Sequence, residues 1–456
     1  MRRRLIALLL LFSFYTTSLY AEQADNLAFD RRAAGAVTKI VVPGGYSRQV
    51  PANTARALAM AIEDGLDVVE VEVRRSKDGQ HVIFDADRLD GRTSGTGLLR
   101  EKTLAELQEL DAGSWFAPRF AGAKITSLVE CLQQARGKIG LLLVCHDVDP
   151  EQLARELAAS ADQGQVAISA NAKLAARLSR LAEGKTRVAH HLDAARDVKS
   201  WLASIASHSK DDIVVVPAVQ LTKEICDSLH AAGVTVVGDA TGEKAQEGVW
   251  ASLLESGVDL VRTDKPECFV AFEISRRTTG RRVLYAAHRG ALRYAPENTT
   301  ASLEAAVQLQ ADYVEIDVQT TSDGAHFLLH DGTLDRTTQG RGRVRLATTE
   351  TLRGLDAGSW FGRPFAGLPV PELDEYLAKY PPHLGLYFDA KDITPEALAD
   401  AVARHGLVER TVVYQGPVYL EKIKAINPAI RTLAPVAAAS HVDTLAKRLK
   451  PYAVDT

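Results

Sequence analysis

From Lys39 onward the chain alternates short apolar runs with longer stretches of helical spacing. Ile40–Val42, Val68–Val71, His81–Phe84 and Gly140–Val144 are each short enough for a strand. Leu104–Leu110 and Pro150–Ala158 repeat their apolar residues at helical intervals. Strands that alternate with helices predict βαβ units and a parallel sheet. One join differs, because Ser76-Lys77-Asp78-Gly79 leaves no room for a crossover helix and predicts a tight turn. The first set of runs closes at Gly257–Asp264, just ahead of Pro266. Residues 22 to 37, polar and alanine-rich, are expected as a short lead-in, and Ser275–Arg282 as a basic linker.

A second set of runs begins at Val283 and repeats the first. Glu70 matches Glu315, Leu110–Phe116 matches Leu355–Phe361, and Gly140 matches Gly385, each at an offset of 245 positions. A period that long is a whole (β/α)8 barrel, which needs about 250 residues. The chain is therefore expected to hold two barrels in tandem, over 38–274 and 283–456. At the same offset the counterpart of Asp264 falls past Thr456, so the second barrel is expected to be incomplete by about its last two strands. That fits a fragment of a longer product, or a barrel completed by another chain.

Polar groups gather at the ends of the second set of strands, where a parallel barrel displays its chemistry. In order they are His288-Arg289-Gly290, Pro296-Glu297-Asn298-Thr299, Glu315 and Asp317, His330-Asp331, and Asp389 with Lys391. Glu315 and Asp317 are two apart on a strand and so point the same way. Together with Asp389 they form an all-oxygen set suited to a hard divalent cation. Imidazoles titrate near neutral pH, which makes His288 and His330 candidates for acid–base work, whereas His326 and His383 are taken as structural or exposed. Arg289 offers a two-pronged fork for phosphate, and Lys391 shares the face of Asp389. Either Asn298 or Thr299 can cap the following helix. Asp335–Thr338 are expected to shape the loop after His330.

These stretches, in this order and spacing, resemble the glycerophosphodiester phosphodiesterase family. The resemblance implies tandem (β/α)8 TIM barrels of the phospholipase-C-like type and hydrolysis of a glycerophosphodiester to sn-glycerol 3-phosphate and an alcohol. It implies His288 and His330 as the catalytic pair and Glu315, Asp317 and Asp389 as ligands of a divalent cation, with Ca²⁺ favoured over Mg²⁺. Arg289, Glu297 and Lys391 are the expected substrate contacts. Asp389 departs from the family's usual Glu, and a further Trp-Thr-Val-Asn-like strand has no counterpart. Two other readings stay open: a lysophospholipase D-like lipid phosphodiesterase, and a non-catalytic exported scaffold.

The first copy lacks most of this chemistry. Opposite His288, Arg289, Glu297, His330, Asp317, Asp389 and Lys391 stand Pro43, Gly44, Ala52, Asp85, Glu72, Val144 and His146. It is expected to be a catalytically dead barrel that supports or regulates the second.

Composition adds little to this, except at the N-terminus. Met1-Arg2-Arg3-Arg4 followed by apolar Leu5–Tyr15 predicts a secretory signal peptide over 1–21, and hence export to a periplasm or beyond the cell. A net charge of −4 gives no sign of nucleic-acid binding. The four cysteines, all in the first copy, match no metal or redox spacing and are expected as buried thiols. No membrane span is expected after the leader, and the expected partner is a small phosphodiester.

Overall fold

The structure, a computed structural model, describes residues 8–10, 28–32, 36–160, 164–181, 187–192, 198–203, 212–277, 284–435 and 453–455. The chain forms two compact units. One comprises Ser13–Phe116 and Phe120–Glu273, the other Met1–Phe12, Ala117–Arg119 and Ile274–Thr456. The earliest strand, Leu8–Leu10 (β1), belongs to the latter. Of the expected leader over 1–21, only this strand lies within the described residues. Among those residues no helix is long and apolar enough to cross a membrane.

The first unit carries β2 (Lys39–Pro43), β3 (Val68–Arg75), β4 (His81–Ile83), β5 (Thr126–Ser127), β6 (Gly140–Cys145) and β7 (Val166–Ser169). It continues through β8 (Arg187–His191), β9 (Ile213–Pro217), β10 (Thr235–Asp239) and β11 (Leu260–Arg262). Eight of these close into a parallel barrel, β2-β3-β6-β7-β8-β9-β10-β11, with β11 pairing back onto β2. The tight turn after Arg75 folds β4 back antiparallel on β3, as its sequence predicts. All four cysteines are buried and unbonded to one another.

Two expectations need correction here. The lead-in is more than a lead-in: Ala28 and Phe29 pack among Val41, Val68, Leu142 and Ile213 inside the barrel, with Phe29 wholly buried. Thr235 Oγ1 donates to the Phe29 carbonyl at 3.1 Å, and Arg187 Nη1 does so at 2.7 Å. A barrel interior must be filled by side chains, and these two close part of it. The expected linker also begins late. The helix Pro266–Arg277 runs through Ser275, with Arg276 and Arg277 in its last turn, where cations favour the helix dipole.

The second unit repeats the plan with β12 (Leu284–Ala287), β13 (Tyr313–Thr320), β14 (His326–Leu328), β15 (Gly385–Asp389), β16 (Thr411–Tyr414), β17 (Arg431–Pro435) and β18 (Ala453–Asp455). Its parallel order is β1-β12-β13-β15-β16-β17-β18, with β14 antiparallel on β13. β12 through β18, without the β14 hairpin arm, correspond to the first six strands of the closed barrel. Among the described residues the last two have no counterpart in sequence order, which leaves the incomplete barrel that the repeat offset predicts, with β1 paired to the other edge of β12.

The repeated Asp-Ala-Gly-Ser-Trp-Phe motif survives in both units because its aspartate organises a loop. Asp356 accepts from Gly358 N at 2.7 Å, Ser359 N at 2.8 Å, Ser359 Oγ at 2.6 Å and Gly367 N at 2.8 Å. Asp111 does the same with Gly113, Ser114 and Gly122. Burial pushes the Asp356 carboxyl up, but these donors outweigh it and hold it at about 2. Asp356→Ala should lower unfolding free energy by about 1–2 kcal/mol at neutral pH. A depressed carboxyl stabilises above its unfolded value of about 3.9 and loses that contribution as pH falls. The gap between variant and wild type in denaturant titrations should therefore narrow from about pH 4 to pH 2.

Candidate active site

β13 presents Glu315 and Asp317 on one side, 3% and 1% exposed. The parallel register of β13 with β15 sets Asp389 directly across from Asp317. Carboxylate oxygens from all three lie within 4.8 Å of one another, the one such grouping among the described residues. Burial, then Asp317 and Asp389, push Glu315 well above the usual carboxylate range. Burial also raises Asp389, against the pull of Lys391.

The surrounding donors explain how this cluster persists. The backbone N of Arg289 donates to Glu315 Oε2 at 2.6 Å. Lys391 Nζ contacts Asp389 and lies 3.3 Å from Asp317 Oδ1. That second contact is an ion pair without hydrogen-bond alignment, so buried Asp317 Oδ1 has no hydrogen-bond donor. An under-satisfied buried oxygen among three convergent carboxylates fits a hard divalent cation bound by Glu315, Asp317 and Asp389.

The loop after β12 is folded tightly to deliver these groups. Arg289 and Asn298 adopt φ of +51° and +55°, and Gly290 +75°. A Cβ on Gly290 would stand 2.3 Å from Ser302 Oγ, so only glycine fits. Of the two capping candidates, Thr299 caps the helix Thr300–Gln308 by accepting from Ser302 N. Asn298 instead clamps Asp317: its Nδ2 donates to Asp317 Oδ2 at 2.8 Å, and its Oδ1 accepts from Asp317 N at 3.1 Å. The left-handed backbone at Asn298 is a conformation asparagine tolerates, and it aims the amide inward.

His330 follows β14, and its Nδ1 meets Asp331 Oδ1 at 2.7 Å. Arg336 and His330 hold Asp331 well below the usual range, so the carboxylate is ionised and accepts from Nδ1–H of the ring. That leaves Nε2 for a ligand. Burial and neighbouring Arg289 pull His288 down to about 4, so it is neutral at pH 7. Arg289 Nη1 donates to Glu297 Oε1 at 3.0 Å, and Arg336 donates to both Glu297 oxygens at 2.7 Å. Burial raises Glu297, but Arg336 and Arg289 overcome it. The structure thus gathers every expected site residue into one mouth. It also engages Arg289 and Lys391 with carboxylates, and adds two groups that the motifs alone did not mark, Asn298 and Arg336. Their only sequence signal is position, one beside Glu297 and one in the loop after His330.

The first unit fills the equivalent space differently. Arg262 clamps Glu70 through Nε at 2.8 Å and Nη2 at 2.7 Å, and reaches Asp239 at 3.1 Å. Glu72 pairs with His146, and its cross-strand neighbour is Val144 where the second unit has Asp389. A fixed guanidinium neutralises Glu70, and of the three carboxylate positions of the second unit only two, Glu70 and Glu72, hold an acid here.

Residues 45–268 and 288–424 match the glycerophosphoryl diester phosphodiesterase family. The chain belongs to this family. A glycerophosphodiester phosphodiesterase of Bacillus subtilis is 36% identical over 196 residues, covering 38% of this chain and 67% of its own. One from Caldanaerobacter subterraneus subsp. tengcongensis is 48% identical over 94 residues, covering 21% of this chain and 39% of its own. Among solved structures, a glycerophosphodiester phosphodiesterase from Agrobacterium tumefaciens is 28% identical, with a TM-score of 0.47 over 52% of this chain and 100% of that one. The family and the phosphodiesterase class expected from the motifs are borne out.

For this phosphodiesterase, Asn298→Ala should free the Asp317 carboxylate to rotate. Divalent-cation affinity, read by calorimetry, should fall by about 10–100-fold, as for other groups that orient metal ligands. Unchanged affinity would show that the β13 backbone alone fixes Asp317.

Proposed function

We propose that the second unit hydrolyses glycerophosphodiesters to sn-glycerol 3-phosphate and an alcohol, with a divalent cation held by Glu315, Asp317 and Asp389. The observation that carries this reading is the convergence of three carboxylates, two imidazoles and Arg289 at the strand ends of one barrel. Mg²⁺ usually takes only one or two carboxylates in a near-ideal octahedron, so a carboxylate trio favours Ca²⁺. When bound, the cation supplies Lewis-acid polarisation of a phosphate oxygen.

The chain's own residues supply the rest. Arg289 and Lys391 bring positive charge to the edge of the carboxylate trio, where it offsets charge developing on the phosphoryl oxygens. Neutral His288 accepts the proton of the attacking oxygen, either water or the substrate's own neighbouring hydroxyl. The bond from phosphorus to the alcohol oxygen breaks, and His330, acting as an imidazolium with its Nδ1–H on Asp331, gives the proton of Nε2 to this oxygen. Asp331 keeps the His330 ring in one tautomer and one orientation. Glu297, 8% exposed, anchors Arg289 and is a further contact for substrate hydroxyls. The non-catalytic reading suits the first unit, where Arg262 occupies the mouth. From the leader-like composition of residues 1–21 we place this chemistry in a periplasm or outside the cell.

The test is release of glycerol 3-phosphate from glycerophosphocholine by the full chain with added Ca²⁺. Turnover should disappear with a chelator and drop by about 10²–10⁴-fold in His330→Ala. A His330→Ala variant working at the normal rate would overturn the assignment. Lysophosphatidylcholine turned over in preference to glycerophosphocholine would move the substrate class to lipids.

A further inference from the structure

Arg336 touches neither the carboxylate trio nor any expected substrate contact except Glu297, yet two parts of the site meet on its guanidinium. Nη1 and Nη2 each donate to a different oxygen of Glu297 at 2.7 Å, while Nε and Nη2 donate to the two oxygens of Asp331 at 2.7 and 3.1 Å. Glu297 in turn holds Arg289, and Asp331 holds His330. The side chain of Glu297 is 8% exposed, so its charge needs a fixed partner.

The first unit shows what Arg336 is not needed for. The loop after His330 is a small hairpin: Leu334 N donates to Gly342 O at 2.9 Å, and Gly342 N to Asp335 Oδ2 at 3.1 Å. Thr338 Oγ1 donates back to Leu334 O at 2.6 Å. The same bonds recur in the first unit between Leu89, Gly97, Asp90 and Thr93. There the counterpart of Arg336 is Gly91, and those of Arg289, Glu297, His330 and Asp331 are Gly44, Ala52, Asp85 and Ala86. The five members of the network are absent together, while the hairpin that carries Arg336 is intact.

We infer that Arg336 is a positioning residue for the hydrolysis proposed above, a double fork that locks the His330–Asp331 pair to the Glu297–Arg289 pair. The guanidinium places four fork-geometry bonds on two carboxylates at once, a pattern that the three donors of a lysine ammonium, radiating from one nitrogen, cannot reproduce.

The experiment follows glycerophosphocholine turnover by the full chain with Arg336→Gly and Arg336→Lys, alongside thermal unfolding. Because Gly91 supports the same hairpin and Arg289 still donates to Glu297, Arg336→Gly should still unfold in one cooperative transition, at a somewhat lower temperature. Its kcat should fall on the order of 100-fold with a smaller change in KM, Arg336→Lys should not restore it, and added guanidinium ion should restore part of it. A wild-type chain without turnover overturns the hydrolytic reading and this inference with it. An active wild type with Arg336→Gly at a similar kcat overturns the inference alone. A variant that has lost its cooperative unfolding would make Arg336 structural, and overturns it too.

Discussion

Carboxylates crowded at the mouth of a barrel repel one another, and the rest of the site is arranged around how that repulsion is met. In the second unit, Glu315, Asp317 and Asp389 converge within 4.8 Å, and the chain itself offers only partial compensation from Lys391 and Arg289. Asp317 Oδ1 is buried without a donor. In the first unit Arg262 forks onto Glu70 and closes the account from within the chain. One scaffold thus shows two answers to the same electrostatic demand, and only in the second unit do protein groups leave it partly unmet.

The pair of units also separates scaffold from chemistry. The inward turn of Asn53 and Asn298, both with φ near +55°, and the loops built on Asp111 and Asp356 recur in each. These features keep strands and loops in place whatever the mouth contains. The histidines, Arg289, Glu297 and Arg336 occur in one unit only. Groups lost together are most simply understood as acting together, through the chain of ion pairs that runs from His330 to Arg289.

Much of this was legible in the sequence. Periodicity and an offset of 245 positions define the tandem barrels, and the same offset agrees with the six barrel strands that the second unit shows in sequence order among the described residues. The carboxylates could be placed because strand alternation puts Glu315 and Asp317 on one face. Other features were hidden because they depend on contacts distant in sequence. Nothing local marks Phe29 as barrel filling, since the apolar run Leu27–Phe29 is too short to read as an element and its partners lie at Thr235 and Arg187. Asn298 and Thr299 are both good caps, and only the folded loop shows that one caps while the other binds Asp317. Arg336 sits in a turn-like stretch whose composition suggests nothing beyond a loop. Arg276 and Arg277 read as linker, yet they extend a helix whose terminus they stabilise.

The central claim is that the unmet charge of Glu315, Asp317 and Asp389 is met by a divalent cation. Anomalous diffraction from crystals of the protein soaked in Mn²⁺ tests it most directly. The account predicts one strong peak among those three carboxylates and none beside Glu70 and Glu72. A second unit without a peak, or a peak at Glu70 and Glu72, would contradict it.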